Sequence, residues 1–217
     1  MEENEILEYK NQYKKIRFLG SLADEIAYVG VQCGAEKLMD YIDLNCGAIP
    51  DGDFECVIDL DAAKQFLKLY TATAESRFAF AVTALMQMNE GAFDAVSRFC
   101  AQVGETRRIS KVVKNAEEAL DIFDSLILVD CYDNEDCKKN IISMSDDKVQ
   151  WTYKNDPHKK YWEKTNGDLK VYYLLQEQFV NSAIAGTTFK YEVNLESTGI
   201  KDDKNCAQTR VFTLKRA

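Results

Sequence analysis

Histidine is the scarcest chemically useful residue of this chain: His158 is the only one among 217 residues. A zinc site of the HExxH kind and any multi-histidine metal centre are therefore excluded within one chain. A Ser-His-Asp or Cys-His arrangement could use only this histidine. The sequence also lacks GxGxxG and GxxxxGK[ST] loops, which excludes the common phosphate-binding loops. It has no CxxC pair, which argues against a zinc ribbon or a thioredoxin-type site.

Proline and long apolar runs are equally scarce. Two prolines and ten glycines argue against disorder and against long linkers. No apolar run approaches the roughly 20 residues that cross a bilayer. The first residues contain no apolar stretch after a basic start, so we expect no secretion signal and a cytoplasmic protein. The net charge of −9 makes nucleic acid and anionic membrane surfaces unfavourable partners.

The seven cysteines are odd in number, and with no secretion signal expected we interpret them as reduced, mostly buried thiols. Cys131 and Cys137 flank an acidic segment in which thiolate and carboxylate groups could hold a metal. Their spacing matches no common site, and a solvated acidic loop is the alternative that we predict. We therefore expect no metal site, and the sequence identifies no cofactor.

Hydrophobic spacing divides the chain into two regions. Up to residue 130 the apolar residues recur at steps of three and four, which is typical of helices. Residues 51–59 are expected to form a loop or a short strand, and the LILV segment at the end of this region could be a buried strand. The predicted helices cover residues 3–19, Ser21 to Gly47 with a bend at Gly30 and Gly34, the surroundings of Leu67, the segment with Phe78 and Leu85, Phe93 to Val103, and Ile109 to Ile127.

After an acidic connector over 131–139, the apolar residues alternate with polar ones, which indicates strands. Over 140–217 the pattern predicts two antiparallel hairpins flanking one helix, with the sheet covered on one face. Asn166 or Asp168 caps that helix, and Gly186 ends it in a left-handed conformation. The fold class is therefore α+β, with an N-terminal helical layer over 1–130 packed against the antiparallel sheet in one compact unit. The predicted strands are Asn140–Met144, Lys148–Tyr153, Phe189–Glu196 and Thr209–Leu214.

The last strand carries the first group of candidate site residues. Without a bulge, Cys206, Gln208 and Arg210 share a face with the apolar residues that follow them at steps of two. Arg210 could then bind a ligand carboxylate, with Gln208 beside it. Cys206 could act as a nucleophile if Arg210 or His158 lowers its pKa. A bulge would instead turn Gln208 and Arg210 toward solvent and leave Cys206 as a packing residue.

The loop before the helix supplies the second group. His158 is a candidate catalytic residue, and the alternative is a surface histidine in a basic, aromatic loop. Trp151, Trp162 and Tyr172 are candidate ligand-binding residues, and the alternative is that these aromatic side chains form part of the core.

The C-terminal third resembles two related families. The residues that carry the resemblance are the helix over Val171–Gly186, the strand over Phe189–Glu196, and the segment from Asp202 through Cys206 into Arg210. The chain is similar there to 4-vinyl reductase-type small-molecule-binding domains and to 2-aminothiazoline-4-carboxylate hydrolase-like proteins. The first resemblance implies binding of a small hydrophobic or cofactor-like ligand. The second implies hydrolysis of a cyclic C–N bond.

Three hypotheses follow from these patterns. The first is a small-molecule-binding protein, such as a sensor or carrier, with a pocket between the C-terminal sheet and the helices. The second is a hydrolase in which Cys206 or His158 takes part in the chemistry and Arg210 holds a substrate carboxylate. The third is a helical protein-interaction module. A homodimer is compatible with each of them, and convergence of Cys206, His158 and Arg210 on one cavity is the geometric requirement of the second.

Overall fold

The computed structural model describes residues 3–89, 91–129, 137–197 and 208–217. Within these residues, helices fill the N-terminal region and an antiparallel sheet lies in the C-terminal region, which confirms the α+β fold class. The helices are α1 (Glu3–Gln32), α2 (Leu38–Cys46), α3 (Phe54–Val57), α4 (Ala63–Met88), α5 (Ala92–Thr106), α6 (Ala116–Leu126), α7 (Lys159–Lys164) and α8 (Leu169–Ile184), and the strands are β1 (Lys139–Ser145), β2 (Lys148–Tyr153), β3 (Phe189–Ser197) and β4 (Gln208–Arg216).

The two long helices α1 and α4 pack against each other and form the middle of the helical layer. Each was predicted as two shorter helices, and that prediction was wrong. In α1 the Ser21 hydroxyl donates to the Phe18 carbonyl three residues earlier, so it does not cap a new helix. In α4 the buried side chains continue at helical steps from Ala63 to Leu85, and neither proline nor glycine interrupts them.

A buried arginine connects three helices through hydrogen bonds. Arg77 on α4 is 4% exposed, and its guanidinium donates to Asp24 of α1 and Asp43 of α2, each at 2.6 Å. It also donates to the Gly47 carbonyl at the end of α2. Because these partners satisfy a buried cation, the charge holds α1 and α2 in place against α4.

Helix ends follow local chemistry. Gly34 and Gly47 adopt φ of +90° and +76°, conformations that favour glycine, after α1 and α2. The long helix predicted over Ile109 to Ile127 is confined to α6, because the Asn115 side chain accepts the Glu118 backbone N–H and starts the helix there. Residues 51–59 contain the short helix α3 instead of a strand, and residues 127–129 form neither helix nor strand.

The sheet has the order β1-β2-β4-β3, and every neighbouring pair is antiparallel. Both predicted hairpins are present. Two helices lie between them in place of one, because the segment that was expected to be irregular contains α7. Asp168 caps α8 as predicted, with its carboxylate accepting the Lys170 N–H at 2.8 Å. Gly186 is not left-handed; a Cβ there would lie 2.7 Å from the Ile109 carbonyl oxygen, so close packing requires this glycine.

The helices α6 and α8 cover one face of the sheet. Phe123 of α6 lies 5.1 Å from the Trp151 ring and 4.9 Å from the Tyr191 ring, measured between centroids. The pairing of β3 with β4 continues without a shift from Gln208 to Arg216, which excludes a bulge over these residues. Arg210 therefore lies on the same face as Phe212, as the alternation of the strand predicts.

Among the described residues, no helix is both long and apolar enough to cross a membrane. The predicted acidic connector lies outside the described residues up to residue 136, and β1 begins at Lys139.

The contact between α5 and α8 depends on a glycine. A Cβ at Gly104 would lie 2.3 Å from the Phe179 carbonyl oxygen and 2.8 Å from the Ser182 Cβ. We expect Gly104→Ala to lower the free energy of unfolding by about 2 kcal/mol, because the two helices must separate to accept the methyl group. Urea unfolding measures the change. The control is Gly91→Ala, where the nearest atom is the Asn89 Oδ1 at 3.4 Å. Equal stability of the two variants would contradict the close contact.

Candidate functional site

Five polar side chains form a connected line through the core, which we call the buried polar chain: Glu75, His158, Tyr172, Gln176 and Tyr191. None is more than 6% exposed. Glu75 Oε1 lies 3.0 Å from His158 Nδ1, and His158 Nε2 lies 3.1 Å from the Tyr172 hydroxyl. Gln176 Nε2 donates to that hydroxyl at 3.1 Å, and the Tyr191 hydroxyl donates to Gln176 Oε1 at 2.5 Å. The chain therefore joins the helical layer to the sheet.

The hydrogen bonds of the chain run in one direction. Because the Tyr172 oxygen accepts from Gln176, its own proton is free to point at His158 Nε2. The Nδ1 nitrogen then carries the ring proton and donates it to the Glu75 carboxylate. With this tautomer each member from Tyr191 to His158 donates one hydrogen bond to the next member of the buried polar chain. If the ring proton were on Nε2 instead, the Tyr172 hydroxyl proton would have no acceptor within the buried polar chain.

Four separate elements position the chain. Glu75 lies on the inward stripe of α4, one turn after Thr71 and about one turn before Phe78. His158 directly precedes α7, and its carbonyl accepts the Tyr161 N–H at 3.1 Å. The remaining members come from α8, where two of them are four residues apart, and from β3.

Burial raises the pKa of the Tyr172 hydroxyl well above its usual value, and the nearby Glu75 carboxylate raises it further. The pKa of Tyr191 is likewise well above its usual value, first because of burial and then because of Tyr153. Both phenols therefore remain O–H donors at neutral pH. The second Glu75 oxygen and the Thr71 hydroxyl have no hydrogen-bond partner in the described part of the chain. The His158 Nδ1–H is therefore the one donor to the Glu75 carboxylate in the described part of the chain. It supplies most of the stabilisation of this buried group.

A second polar group lies beside the chain, around Asp156. Its Oδ1 accepts the His158 backbone N–H at 3.0 Å, and its Oδ2 accepts the Tyr173 hydroxyl at 2.8 Å. Arg210 NH1 lies 3.4 Å from the same Oδ2, with its guanidinium carbon 5.1 Å from the Tyr173 ring centroid. Arg210 and His158 therefore lie on two sides of one aspartate.

The structure brings several of the sequence-predicted site residues together. His158 contacts Tyr172, and the Trp162 ring lies 5.9 Å from the Tyr172 ring. Arg210 contacts Asp156 and Tyr173 beside this group. Trp151 lies apart from them in the core, where it stacks on Phe212 at 5.7 Å. His158 is only 1% exposed, so the alternative of a surface histidine was wrong.

Two predicted site residues cannot be placed in this way. Cys206 lies outside the described residues, and the side chain of Gln208 is also outside them. Their roles stay predictions. Arg210 is partly exposed, at 27% of its side chain, and its bond to Asp156 occupies one of its nitrogens.

An apolar cavity of about 40 Å³, which we call the slot, lies between the helices next to the buried polar chain. Tyr172 and Gln176 contribute the polar part of its wall. The other lining residues are Lys15, Phe18, Leu19, Leu22, Phe78, Cys100, Leu126, Ile127, Leu128, Leu175 and Phe179.

A much larger open groove of about 1450 Å³ lies along α1. Lys15, Phe18 and Leu126 line both the groove and the slot, so the two cavities adjoin each other. The Phe18 ring borders both cavities: it lies 5.5 Å from the ring of Phe179, which lines the slot, and the guanidinium carbon of Arg107, which lines the groove, lies 3.6 Å from its centroid. Burial lowers the pKa of Arg107 and that of Lys15.

Sequence reasoning missed Glu75, Gln176, Asp156, Lys15 and Phe18. One signal was present: Glu75 shares the apolar stripe of α4, where a carboxylate needs a buried partner. The other four occupy ordinary positions in their segments, and only the tertiary arrangement distinguishes them.

Among the described residues, no three His, Cys, Asp or Glu side chains are grouped so that they could hold a metal ion. Cys137 is buried, and Cys131 lies outside the described residues. No family model, curated protein or solved structure matches this chain.

The Glu75–His158 contact predicts strong coupling in unfolding experiments. His158→Leu alone leaves the Glu75 carboxylate buried without that donor, so we expect it to lower the free energy of unfolding by about 3–5 kcal/mol. Glu75→Leu removes the carboxylate that accepts the imidazole N–H and costs about 1–3 kcal/mol. The double variant should lose about 2 kcal/mol less than the sum of the two. Urea unfolding of all four proteins gives the coupling energy.

The matched control is the exposed pair Lys159–Glu163, with side chains 59% and 65% exposed and 3.5 Å between Nζ and Oε1. Leucine substitutions there should show a coupling of about 0.5 kcal/mol or less. Additive effects of the Glu75 and His158 substitutions would contradict a direct buried contact.

Proposed function

We propose that this protein binds a small molecule with an apolar body and a carboxylate group. The apolar body enters the slot, and the carboxylate remains in the groove near Lys15 and Arg107. The observation that carries the proposal is the position of the slot, between the polar side chains Tyr172 and Gln176 and the cationic residues at its opening. An apolar cavity with a few converging polar groups is the usual form of a ligand site.

The size of the slot bears on how a ligand would enter. About 40 Å³ exceeds the roughly 10–15 Å³ that one water needs, but it is less than an aromatic ring fills. Entry of a ring therefore requires Phe18 to turn toward the groove. That motion exchanges the contact between Phe18 and Phe179 for a contact between the ligand and Phe179, so little apolar burial is lost.

The charges around the opening favour an anion. Lys10 and Arg17 already pair with Glu55 and Asp51. Arg107 lies on the Phe18 ring and forms no ion pair with a carboxylate of the described residues. A ligand carboxylate beside it would complete a charge-assisted hydrogen bond in a partly desolvated place, which supports affinity and orientation.

The hydrolase hypothesis and the helical interaction-module hypothesis each require more than small-molecule binding does. Hydrolysis at His158 would need a substrate to displace Tyr172 or Glu75, because both ring nitrogens already have partners. A role as a helical interaction module would need a partner-binding surface, and the internal slot does not supply one. Binding in the slot needs only the movement of one side chain at its opening.

Titration calorimetry and thermal shift with a panel of aromatic and medium-chain carboxylates test the proposal. We expect at least one of these compounds to bind the wild-type protein and to raise its melting temperature. Arg107→Gln should weaken that binding about 10-fold, which corresponds to about 1.4 kcal/mol. Arg108→Gln is the matched control, because this neighbouring arginine does not line the groove or the slot.

A second variant tests the slot itself. Cys100 is 1% exposed and lines the slot, so Cys100→Leu adds apolar volume where the body of the ligand would lie. We expect this variant to lose binding while it keeps a cooperative unfolding transition. Absence of binding across the panel, or equal affinities of the Arg107 and Arg108 variants, would overturn the proposal.

A further inference from the structure

A separate pocket of about 340 Å³, which we call the lysine pocket, lies where the start of β1 meets α1 and the end of α6. Its volume falls in the range of small-molecule sites, roughly 300–1,000 Å³. It is lined by Gln12, Lys15, Asp124, Ile127, Val129, Cys137, Lys138, Lys139 and Tyr153.

Lys139 is the unusual residue of this pocket because its ammonium group is largely enclosed. Its side chain is only 17% exposed, and its Nζ lies 5.3 Å from the Phe123 ring centroid and 5.7 Å from that of Trp151. It forms an ion pair with Asp124, whose side chain is 47% exposed. This placement removes water from the amine, while the two ring faces attract its charged form.

The groups around Lys139 act on its charge in opposite directions. Burial first, and then the Lys15 ammonium on α1, lower the pKa of its amine to about 8, although Asp121 on α6 opposes them. The Asp124 contact also favours the charged amine, but solvent weakens that contact because the carboxylate is half exposed. Cys137, Lys138 and Tyr153 are the remaining ionisable groups that line the pocket, and Lys138 adds to the positive field.

We propose that Lys139 is a nucleophilic lysine that forms an imine with a small aldehyde or ketone bound in the lysine pocket. This inference goes beyond the binding function above, and it does not depend on the slot being filled. Enclosed lysines beside a second cationic group are a recognised kind of activated amine.

The reaction balances with the groups that the pocket contains. The neutral Nζ attacks the carbonyl carbon, and the electron pair of the C=O double bond moves to the oxygen. Asp124, in contact with Nζ, transfers the two protons that the nitrogen loses to the carbonyl oxygen in turn: the first converts the alkoxide to the carbinolamine hydroxyl, and the second converts that hydroxyl to water. Water then leaves as the C=N bond forms, so the products are the imine and one water and no oxidant is needed.

Benzaldehyde followed by borohydride reduction is the probe, because it is neutral and traps the imine as a stable amine. Mass spectrometry of peptides from the full chain gives the occupancy of each lysine. The comparator is Lys190, which pairs with Glu192 at 3.3 Å but is 54% exposed. At pH 7 we expect the occupancy of Lys139 to exceed that of Lys190 by at least about 10-fold, because far more of its amine is neutral.

The pH profile separates reactivity from simple exposure. The ratio of Lys139 to Lys190 occupancy should fall toward about one as the pH rises past about 10.4, the ordinary pKa of a lysine amine, because protonation then no longer limits the reaction of an exposed lysine. Lys139→Arg keeps the cation beside Asp124 and should remove the labelled peptide without changing the melting temperature by more than about 2 °C. A ratio near one at every pH would overturn the proposal.

Lys15→Gln tests the cause of the reactivity. Removing the neighbouring ammonium should raise the pKa of Lys139, so labelling at pH 7 should fall several-fold and recover at higher pH. An unchanged Lys139 profile in this variant would contradict the role of Lys15. The result is independent of carboxylate binding, because the probe carries no charge.

Discussion

The contact between Glu75 and His158 is the interaction on which most of the structure depends. A carboxylate with no exposed surface must find its donor inside the protein, and this one finds it 83 residues away in the sequence. Because the donor is an imidazole, its second nitrogen also needs a partner, and Tyr172 supplies it. Each further hydrogen bond satisfies a group that would otherwise be buried alone, until the line ends on Tyr191 in the sheet.

This requirement explains why the helical layer and the sheet are joined by hydrogen bonds. The α4 helix cannot place Glu75 in the core unless the segment before α7 and the helix α8 are already against it. Hydrophobic contacts alone would tolerate small displacements between these elements, whereas a line of hydrogen bonds fixes their relative position. The buried polar chain also fixes Tyr172 and Gln176 at the wall of the slot. The packing of the core therefore sets the geometry of the proposed ligand site.

Lys15 on α1 takes part in both functional proposals. It lines the groove, the slot and the lysine pocket, and its ammonium donates to the Asp124 carbonyl at 2.7 Å. A ligand carboxylate near it and an amine reaction beside it would therefore influence each other electrostatically. Although the whole chain is acidic, this part of its surface contains several cations around partly apolar cavities.

The local parts of the fold were predictable from the sequence, since they depend on neighbours in the chain. The alternation of apolar and polar residues predicted the strands, including the first hairpin, which turns at Asp146. Asp168 was likewise a predicted cap of α8. The alternation also predicts one covered face along the whole of Phe189–Glu196, but Leu195 is 53% exposed where it pairs with Arg210 near the end of β3. Fewer side chains pack over that end of the β3–β4 hairpin than over its middle. This burial depends on tertiary packing and not on the sequence of the strand alone.

The candidate site was only partly predictable. His158, Tyr172 and Arg210 were identified as chemically suitable residue types, and the fold brings His158 and Tyr172 into contact and places Arg210 against Asp156. Their buried partners were not, because Glu75 and Asp156 acquire their importance from contacts across long sequence separations. The continuity of α1 and α4 was missed for a related reason: packing against each other stabilises these helices through positions where local propensity suggests an end.

NMR of the imidazole tests the central claim most directly, because the chain has a single histidine. If His158 is held between Glu75 and Tyr172, its ring N–H proton should exchange slowly enough with water to be observed at neutral pH. That proton belongs to Nδ1, and the ring should show nuclear Overhauser effects to the Tyr172 ring, whose centroid lies 4.2 Å away. An N–H proton lost to rapid exchange, together with no contact to Tyr172, would contradict the buried polar chain.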